Sequence, residues 1–441
     1  MKRAGSIRLA GLIFTALILN ACNQSQAISN LKVPAVSPAP PVAVNDTIRF
    51  LENRIKSDPE DFIAYNKLAS EYLNRMRETG DVTYLDLASR AAHASLEILP
   101  AEKNKGGLVL LAQVEYSSHN FAAARDHAQK LIELDPNKGY TYQTLADALL
   151  ELGQYDEAAA AFREMEKFGG IQTLTQVAIE QRLARLAFLH GKTDDATRHY
   201  STALKLTLKM VEPPRETVAM CHWHLGETAF AVGDYKAAEQ SFRDALKVYP
   251  DYFRALASLG RVRAARGDLQ GAVELYEKVV RILPDPTFAA ALGDLYKLSA
   301  REQDAATQYA LVEKIATLSA AGGTLYNRQL ALFDADHDLK PEEAYANAAK
   351  EYETRRDIYG ADAVAWTALK AGKLVEAQAA IKEALKLGTR DARLFYHAGM
   401  IENALGNKQT AKQFLEKAVR TNPAFDLLQA EKIETTLKEI N

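Results

Sequence analysis

Residues 222–250 read HWHLGETAFAVGDYKAAEQSFRDALKVYP, and residues 256–284 repeat the same pattern 34 positions later as LASLGRVRAARGDLQGAVELYEKVVRILP. Each stretch places a glycine after a leucine and a second glycine seven residues further on. An alanine, an aromatic residue and a closing proline follow in both stretches. A fixed period of this length is typical of arrays in which one helix pair is repeated.

The pattern extends over residues 61–423 as ten copies, of which the eighth, around 324–357, is the most degenerate. It resembles the tetratricopeptide repeat, in which a small residue lets the two helices of a hairpin approach closely. The resemblance implies an all-α, right-handed superhelical solenoid of about ten hairpins, with residues 424–441 as a capping helix. Proline and glycine pairs predict possible breaks near 205–217 and 318–324.

Composition excludes several classes of protein. The chain has 441 residues, with 54 Lys and Arg against 57 Asp and Glu, and its formal net charge is −3. A general nucleic-acid-binding protein would show a basic excess, so no nucleic-acid partner is expected. Two cysteines, Cys22 and Cys221, cannot form a disulfide scaffold. The length indicates several domains or a repeat array.

The first 21 residues have the pattern of a secretory signal. Lys2, Arg3 and Arg8 provide a basic start, and residues 9–21, LAGLIFTALILNA, are too short for a comfortable membrane-spanning helix. A cleaved signal is therefore predicted over residues 1–21.

The end of this segment, Leu19-Asn20-Ala21-Cys22, resembles the lipobox of bacterial lipoproteins. The resemblance implies cleavage between Ala21 and Cys22 and acylation of Cys22, which would anchor the chain to a membrane. Asn23 favours the outer membrane, with the protein facing the periplasm. Residues 22–60, which include five prolines, are interpreted as a tether and lead-in to the array.

Three short motifs were considered as sites of chemistry. Gly191-Lys192-Thr193 lacks the earlier glycine and the strand of a phosphate-binding loop. Residues 334–338, DADHD, lack the glycine and the glutamate of a calcium loop. Cys221 and His224 share a helix face and could provide two metal ligands, but core packing is the favoured interpretation. No catalytic residue, metal site or cofactor is predicted.

In the family that the repeat resembles, side chains of the first helix of each hairpin line a concave groove. Carried over to this sequence, the resemblance implies a groove that anchors a protein or peptide partner through aromatic and arginine side chains. We call the thirteen implied residues the groove positions. They are Tyr140, Gln143, Asp147, Gln181, Arg185, Phe188, Trp223, Glu227, Phe230, Arg254, Arg261, Asp294 and Lys297.

The sequence thus predicts a non-catalytic scaffold that is lipid-anchored in the bacterial cell envelope and binds another envelope protein or peptide. One alternative is capture of a peptide, glycan or metal ligand in the periplasm. A second is an enzyme that uses the cluster from Cys221 to His224.

Overall fold

The computed structural model describes residues 42–170, 172–322 and 327–440, and these residues are helical without any strand. The predicted signal and the lipid-modified Cys22 lie outside the described residues. The described helices are α1 (Val42–Ser57), α2 (Phe62–Thr79), α3 (Thr83–Ile98), α4 (Lys105–Ser117), α5 (Phe121–Leu134), α6 (Gly139–Glu151), α7 (Tyr155–Phe168), α8 (Thr173–Leu189), α9 (Thr193–Leu208), α10 (Arg215–Phe230), α11 (Tyr235–Val248), α12 (Phe253–Ala265), α13 (Leu269–Ile282), α14 (Pro286–Leu298), α15 (Glu302–Gly322), α16 (Asn327–Asp336), α17 (Pro341–Thr354), α18 (Ile358–Lys370), α19 (Leu374–Leu385), α20 (Ala392–Ala404), α21 (Lys408–Thr421) and α22 (Ala430–Ile440).

Within the described chain, α2 to α21 form ten hairpins, each an even-numbered helix followed by an odd-numbered one. We call the even-numbered member the first helix of its hairpin. Ile433 of α22 is buried against the last hairpins, with Leu437 packed beside it. The predicted all-α solenoid with a capping helix is confirmed.

Each hairpin turn contains a residue in the left-handed region of backbone space. Seven of the ten are glycines, as expected where an L side chain would be strained. The other three are not glycines. The seven are Gly80, Gly153, Gly191, Gly233, Gly267, Gly372 and Gly406, and the three are His119, Ala300 and Asp338.

A small residue on the first helix allows close packing within each hairpin. A Cβ atom added to Gly226 would lie 2.4 Å from Cε1 of Phe242 on the facing helix. At the equivalent position of the next hairpin, a Cβ on Gly260 would lie 2.7 Å from Cε2 of Tyr276. The aromatic rings therefore fill the space that the glycines leave open.

The described residues divide into two compact units. Among the described residues, the first contains 42–149 and Asp156–Arg182, and the second contains Leu150–Tyr155 and the chain from Leu183 onward. In the first unit α2 packs on α3 and α4, and in the second α10 packs on α9, α11 and α12. Both predicted break positions fall within the second unit.

The predicted tether and lead-in over residues 22–60 ends in a helix, α1, which the sequence analysis missed. Leu51 of α1 is buried, and the Tyr72 hydroxyl of α2 donates to Glu52 Oε1 at 2.8 Å. An isolated helix of this length is marginal in water, so α1 depends on these contacts with α2. Ile48, Leu51 and Ile55 lie at spacings of three and four residues and therefore share one face of this helix.

The predicted capping helix over 424–441 is too long, because the helix begins only at Ala430. Residues 424–429, AFDLLQ, form a turn that we call the strap. The Asp426 carboxylate accepts from the amides of Leu428 and Gln429, each at 3.0 Å. This local bonding offers the backbone an alternative to the helix.

None of the described helices is both long enough and apolar enough to cross a membrane.

Candidate functional site

In the first unit, the groove positions lie on α6 and α8. Asp147 is buried and accepts hydrogen bonds from buried Arg182, with Nη2–Oδ2 at 2.6 Å and Nε–Oδ1 at 3.1 Å. Gln143 and Gln181 are also buried, and the Tyr140 hydroxyl donates to Asp135 Oδ2 at 2.9 Å. Asp147 therefore joins two successive first helices through an ion pair.

In the second unit, Arg185 pairs with Glu151, which lies at the end of α6 and is almost fully buried. The opposite oxygen of Glu151 is 2.8 Å from Nη2 of Arg355. Burial alone would raise the pKa of Glu151, but the two guanidinium groups outweigh it and hold this pKa well below its usual value. The sequence analysis missed Glu151 and Arg355, which are 204 residues apart.

Arg355 extends this network to the start of α18. Its Nε lies 3.1 Å from Asp357 Oδ2, and Arg328 of α16 approaches the same oxygen at 3.0 Å through Nη1. Glu151, Arg185, Arg355, Asp357 and Arg328 thus form one continuous chain of charges within the second unit. Each buried charge has a partner of opposite sign, as burial requires.

The aromatic groove positions are buried as well. Trp223 is 2% exposed, and its indole Nε1 donates to Ser258 Oγ at 3.0 Å, one repeat further along. Phe230 and Phe188 are 2% and 3% exposed. The expectation that these rings are displayed to a partner is wrong, because all three are buried; Trp223 and Phe230 contact the neighbouring first helix, α12.

The charged groove positions of the fifth to seventh hairpins are mostly paired. Glu227 accepts a hydrogen bond from Arg261, whose guanidinium carbon lies 4.7 Å from the centre of the Phe230 ring. Arg254 lies over the Phe253 ring at 4.5 Å. Lys297 is the one groove position that is exposed. Whether any of the thirteen residues binds a partner stays a prediction.

Asp294 is at the centre of a cluster between α14, α15 and α16. Its Oδ1 is 2.8 Å from His337 Nε2 and accepts from the Tyr309 hydroxyl, also at 2.8 Å. Burial alone would lower the pKa of His337, but the Asp294 carboxylate outweighs it and leaves the pKa raised. The cluster favours an ion pair between Asp294 and protonated His337.

A second polar cluster surrounds Asp336 at the end of α16. Its Oδ1 accepts from Trp366 Nε1 at 2.8 Å and from the Gln429 side chain of the strap. Burial, together with the nearby Asp426 charge, raises the pKa of Asp336 to about 6. Asp426 in turn faces Arg393 on α20, with Oδ2–Nη2 at 3.5 Å. The sequence analysis identified none of these residues as a site.

Within the second unit, the turn regions of the third to fifth hairpins contact segments from much later in the chain. These segments lie just before α18, α20 and the strap. The Ile358 amide donates to the Tyr155 hydroxyl at 2.8 Å, and Asn422 Nδ2 donates to the Phe230 carbonyl at 2.8 Å. Between these two contacts, the Thr389 hydroxyl donates to the Leu189 carbonyl. Three successive hairpins, the third to the fifth, therefore each make a hydrogen bond to a late part of the chain.

The cluster from Cys221 to His224 has packing roles. Cys221 is fully buried, and His224 stacks on Tyr200 with ring centres 4.6 Å apart. Burial lowers the pKa of His224 to about 3, which keeps the ring neutral. Over the ranges that the structure describes, no group of three or more His, Cys, Asp or Glu side chains is arranged to hold a metal ion.

Several regions of the chain match models of known families. Models described as tetratricopeptide repeat match residues 127–160, 175–251, 224–285 and 392–425. Together the matches cover parts of the second to sixth hairpins and the tenth.

Similar proteins match over shorter stretches. The FK506-binding protein-like protein of Mus musculus is 32% identical over 128 residues, 29% of this chain and 36% of that protein. A TPR repeat-containing protein of Methanocaldococcus jannaschii is 25% identical over 178 residues, 39% of this chain and 30% of that protein. The matched part thus spans about a third of the length of each relative.

Solved structures of low sequence identity also align. A tetratricopeptide repeat protein from Parabacteroides merdae covers 60% of this chain and 98% of its own, with 18% identity and a TM-score of 0.34. BtubC from P. vanneervenii covers 47% of this chain and 92% of its own, with 19% identity and a TM-score of 0.39. From the four family-model matches and the helix hairpins that they cover, we conclude that this chain contains tetratricopeptide repeats.

Proposed function

We propose that this protein is a non-catalytic scaffold of the bacterial cell envelope that binds another envelope protein or peptide along its first helices. The observation that carries the proposal is the succession of tetratricopeptide repeats, which generally act as protein-interaction scaffolds. The repeats place aromatic and charged side chains of successive first helices next to one another. The exposed side chains that remain on these helices, such as Lys297, are the candidates for contact with a partner.

The pairing of buried charges favours a structural role for them over a catalytic one. Asp147 with Arg182, and Glu227 with Arg261, join neighbouring first helices. Each of these buried ion pairs holds two neighbouring first helices together. A carboxylate that is held in such a pair is poorly placed to transfer a proton to a substrate. Recognition is therefore expected to use the exposed parts of these helices, such as Lys297 on α14.

We further propose that the chain is anchored by acyl groups on Cys22 and faces the periplasm from the outer membrane. The support for this part of the proposal is the sequence, in which a basic start, an apolar stretch and Leu19-Asn20-Ala21-Cys22 follow one another. Several acyl chains on one cysteine would hold the protein firmly to a membrane.

Metabolic labelling with a palmitate analogue tests the anchor. We expect label on the wild-type chain in a bacterial host and none on the Cys22→Ser variant. Cys221→Ser is the matched control, since Cys221 is buried in α10 and should not affect labelling. Label retained in Cys22→Ser, or absent from the wild type, would refute the anchor without affecting the scaffold proposal.

Crosslinking in the native host, followed by affinity purification through a C-terminal tag, tests the scaffold. A single envelope protein should be recovered with the wild type and reduced with Lys297→Glu. Lys236→Glu is the control, because Lys236 is exposed on α11, the second helix of its hairpin. Equal recovery with both variants would show that binding does not use the first helices.

A further inference from the structure

Three helices of the seventh and eighth hairpins meet around His337, which directly follows α16. Its ring centre lies 4.4 Å from that of Phe333 on α16 and 5.1 Å from that of Tyr309 on α15. Among the described residues, the apolar cluster that α14, α15 and α16 share contains three buried side chains, one from each helix. They are Ala289, Val312 and Phe333. Polar contacts therefore carry a large share of the packing at this junction.

Both ring nitrogens of His337 face oxygen atoms. Nε2 lies 2.8 Å from Asp294 Oδ1 on α14, and Nδ1 lies 2.8 Å from the backbone carbonyl oxygen of Phe333. A carbonyl and an ionised carboxylate can only accept hydrogen bonds, whereas a neutral imidazole has one donor and one acceptor nitrogen. A neutral ring beside an ionised Asp294 would therefore place one lone pair against another. The geometry requires one further proton on the pair.

The Tyr309 hydroxyl assigns this proton to the histidine. It donates to the same oxygen of Asp294 at 2.8 Å, and a hydrogen bond to a carboxylate favours the ionised form. Burial alone would lower the pKa of His337, but the hydrogen bond and the charge of Asp294 outweigh it and leave this pKa raised. The side chains of His337 and Asp294 are 11% and 15% exposed, so the proton can exchange with water.

A second histidine–aspartate pair in the same unit lacks this arrangement. His397 Nδ1 lies 2.8 Å from Asp362 Oδ1, but Nε2 of His397 has no hydrogen-bond partner among the described residues. A neutral ring satisfies such a pair, because only one nitrogen has to donate. Of these two pairs, only the one at His337 requires both ring nitrogens to carry a proton.

Charged and titratable groups surround His337 on α14, α15, α16 and the start of α17. The described groups that interact with His337 or with its direct neighbours are Asp294, Glu302, Tyr309, Glu313, Asp334, Asp336, Asp338, Lys340 and Glu343. Nζ of the single cation in this set, Lys340, lies 2.8 Å from Oε1 of Glu313, so this charge is already paired. The excess of acidic groups favours the charged form of the ring.

We propose that His337, Asp294 and Tyr309 form a pH-sensitive joint, which holds the seventh and eighth hairpins together while His337 is protonated and weakens when the ring loses its second proton. After this loss, one of the two nitrogens faces an acceptor without a hydrogen between them. The folded state binds the proton more tightly than the unfolded state does, so the stabilisation is present below the ordinary histidine pKa of about 6.5 and is lost as pH rises through the raised value. This inference does not depend on the proposed scaffold function.

Exchange of the imidazole C2 proton for deuterium tests the protonation of His337 in the wild-type, full-length chain in detergent. Mass spectrometry of peptides resolves single histidines, and the pH at half-maximal exchange rate reports the pKa of each ring. We expect a higher value for His337 than for His93, which is exposed on α3. Asp294→Asn should lower the His337 value, because the counter-charge is lost. A wild-type value for His337 at or below that of His93 would overturn the inference.

Urea denaturation at pH 7 and pH 9 tests the joint itself. Burial raises the pKa of Asp334 and of Asp336 to about 6, so both carboxyls are mostly ionised throughout this range. The wild type should unfold at a higher urea concentration than His337→Gln at pH 7, and most of this difference should be lost at pH 9. His93→Gln is the matched control and should follow the wild type at both pH values. A difference between wild type and His337→Gln that is equal at pH 7 and pH 9 would refute the joint.

Amide hydrogen exchange on the wild-type chain requires no folded variant. After correction for the intrinsic dependence of exchange on pH, the amides of α16 should lose more protection between pH 7 and pH 9 than those of α12. Local opening of this kind is measured helix by helix. An equal change in both helices would mean that deprotonation does not weaken this junction, and would overturn the inference.

Discussion

The carboxylate of Asp147 and the guanidinium of Arg182 form a buried ion pair between α6 and α8, with Nη2–Oδ2 at 2.6 Å. The two residues are 35 positions apart, close to one repeat. Glu227 and Arg261 form a similar pair at a separation of 34 residues. Neighbouring hairpins are therefore joined by charges as well as by apolar packing.

Removing one member of the pair should destabilise the protein. We expect Asp147→Ala to lower the free energy of unfolding by about 3–5 kcal/mol, because it leaves Arg182 buried without its main counter-charge. Adding Arg182→Met should recover part of this loss. Urea denaturation of the two single variants and the double variant measures the coupling, and strictly additive effects would contradict the pairing.

The glycine that admits an aromatic ring gives a second prediction. Gly226→Ala should lower the free energy of unfolding by about 1–3 kcal/mol, since the new methyl group would clash with the Phe242 ring. Phe242→Leu should lower the free energy of unfolding by a smaller amount when Gly226→Ala is present than when it is absent. Thermal denaturation provides the measurement, and an unchanged midpoint for Gly226→Ala would show that the two helices are farther apart.

Two substitutions at equivalent positions of neighbouring hairpin turns should change the stability of the protein in opposite directions. Ala300 has a φ of 55°, so Ala300→Gly should relieve strain and increase stability by up to about 1 kcal/mol. Gly267, at the same turn position one hairpin earlier, has a φ of 82°, and no described heavy atom beyond its chain neighbours would lie within 4 Å of a Cβ added there. Gly267→Ala should therefore decrease stability by about 1 kcal/mol. A change of the same sign in both variants would argue against backbone strain.

Asp336 gives a prediction about pH. Its pKa is raised to about 6 by burial and by Asp426, although Arg393 and His397 oppose the shift. The folded state therefore binds the proton of the Asp336 carboxyl more tightly than the unfolded state does. The contribution of this difference to the free energy of unfolding is present at low pH and is lost as pH rises through 6.

Asp336→Asn keeps an oxygen that can accept from Trp366 and Gln429 and removes the titration. The wild type should lose about 1 kcal/mol relative to this variant between pH 5 and pH 7.5. Denaturation at both pH values tests this, and His337, whose pKa is also raised, is unchanged in the comparison. A constant difference between the two proteins would mean that the pKa of Asp336 in the folded state is not raised to about 6.

Much of the fold was predictable, because close packing restricts residue type at a few positions of every hairpin. Gly226 with Phe242 and Gly260 with Tyr276 repeat at one period, and this signal survives variation elsewhere. The turns at His119 and Ala300 were harder to recognise because tertiary packing holds a non-glycine residue in a strained conformation. The strap was predicted as helix, since its apolar residues have no turn signal beyond Pro423.

The site was less predictable. The 34-residue separation of Glu227 and Arg261 was visible in the sequence and could have indicated pairing, yet both were interpreted as groove ligands. Trp223 was expected to be displayed, whereas its bond to Ser258 places it between first helices. Contacts such as Glu151 with Arg355 join residues 204 positions apart, and no local pattern predicts them.

Site-specific photo-crosslinking in the native host is the most direct test of the claim that the first helices bind an envelope partner. A photoreactive residue would be placed at Lys297 on α14 or, as the control, at Lys236 on α11, both of which are exposed. We predict one discrete adduct with an envelope protein at position 297 and none at position 236. Adducts of equal yield at both positions, or at neither, would contradict the account.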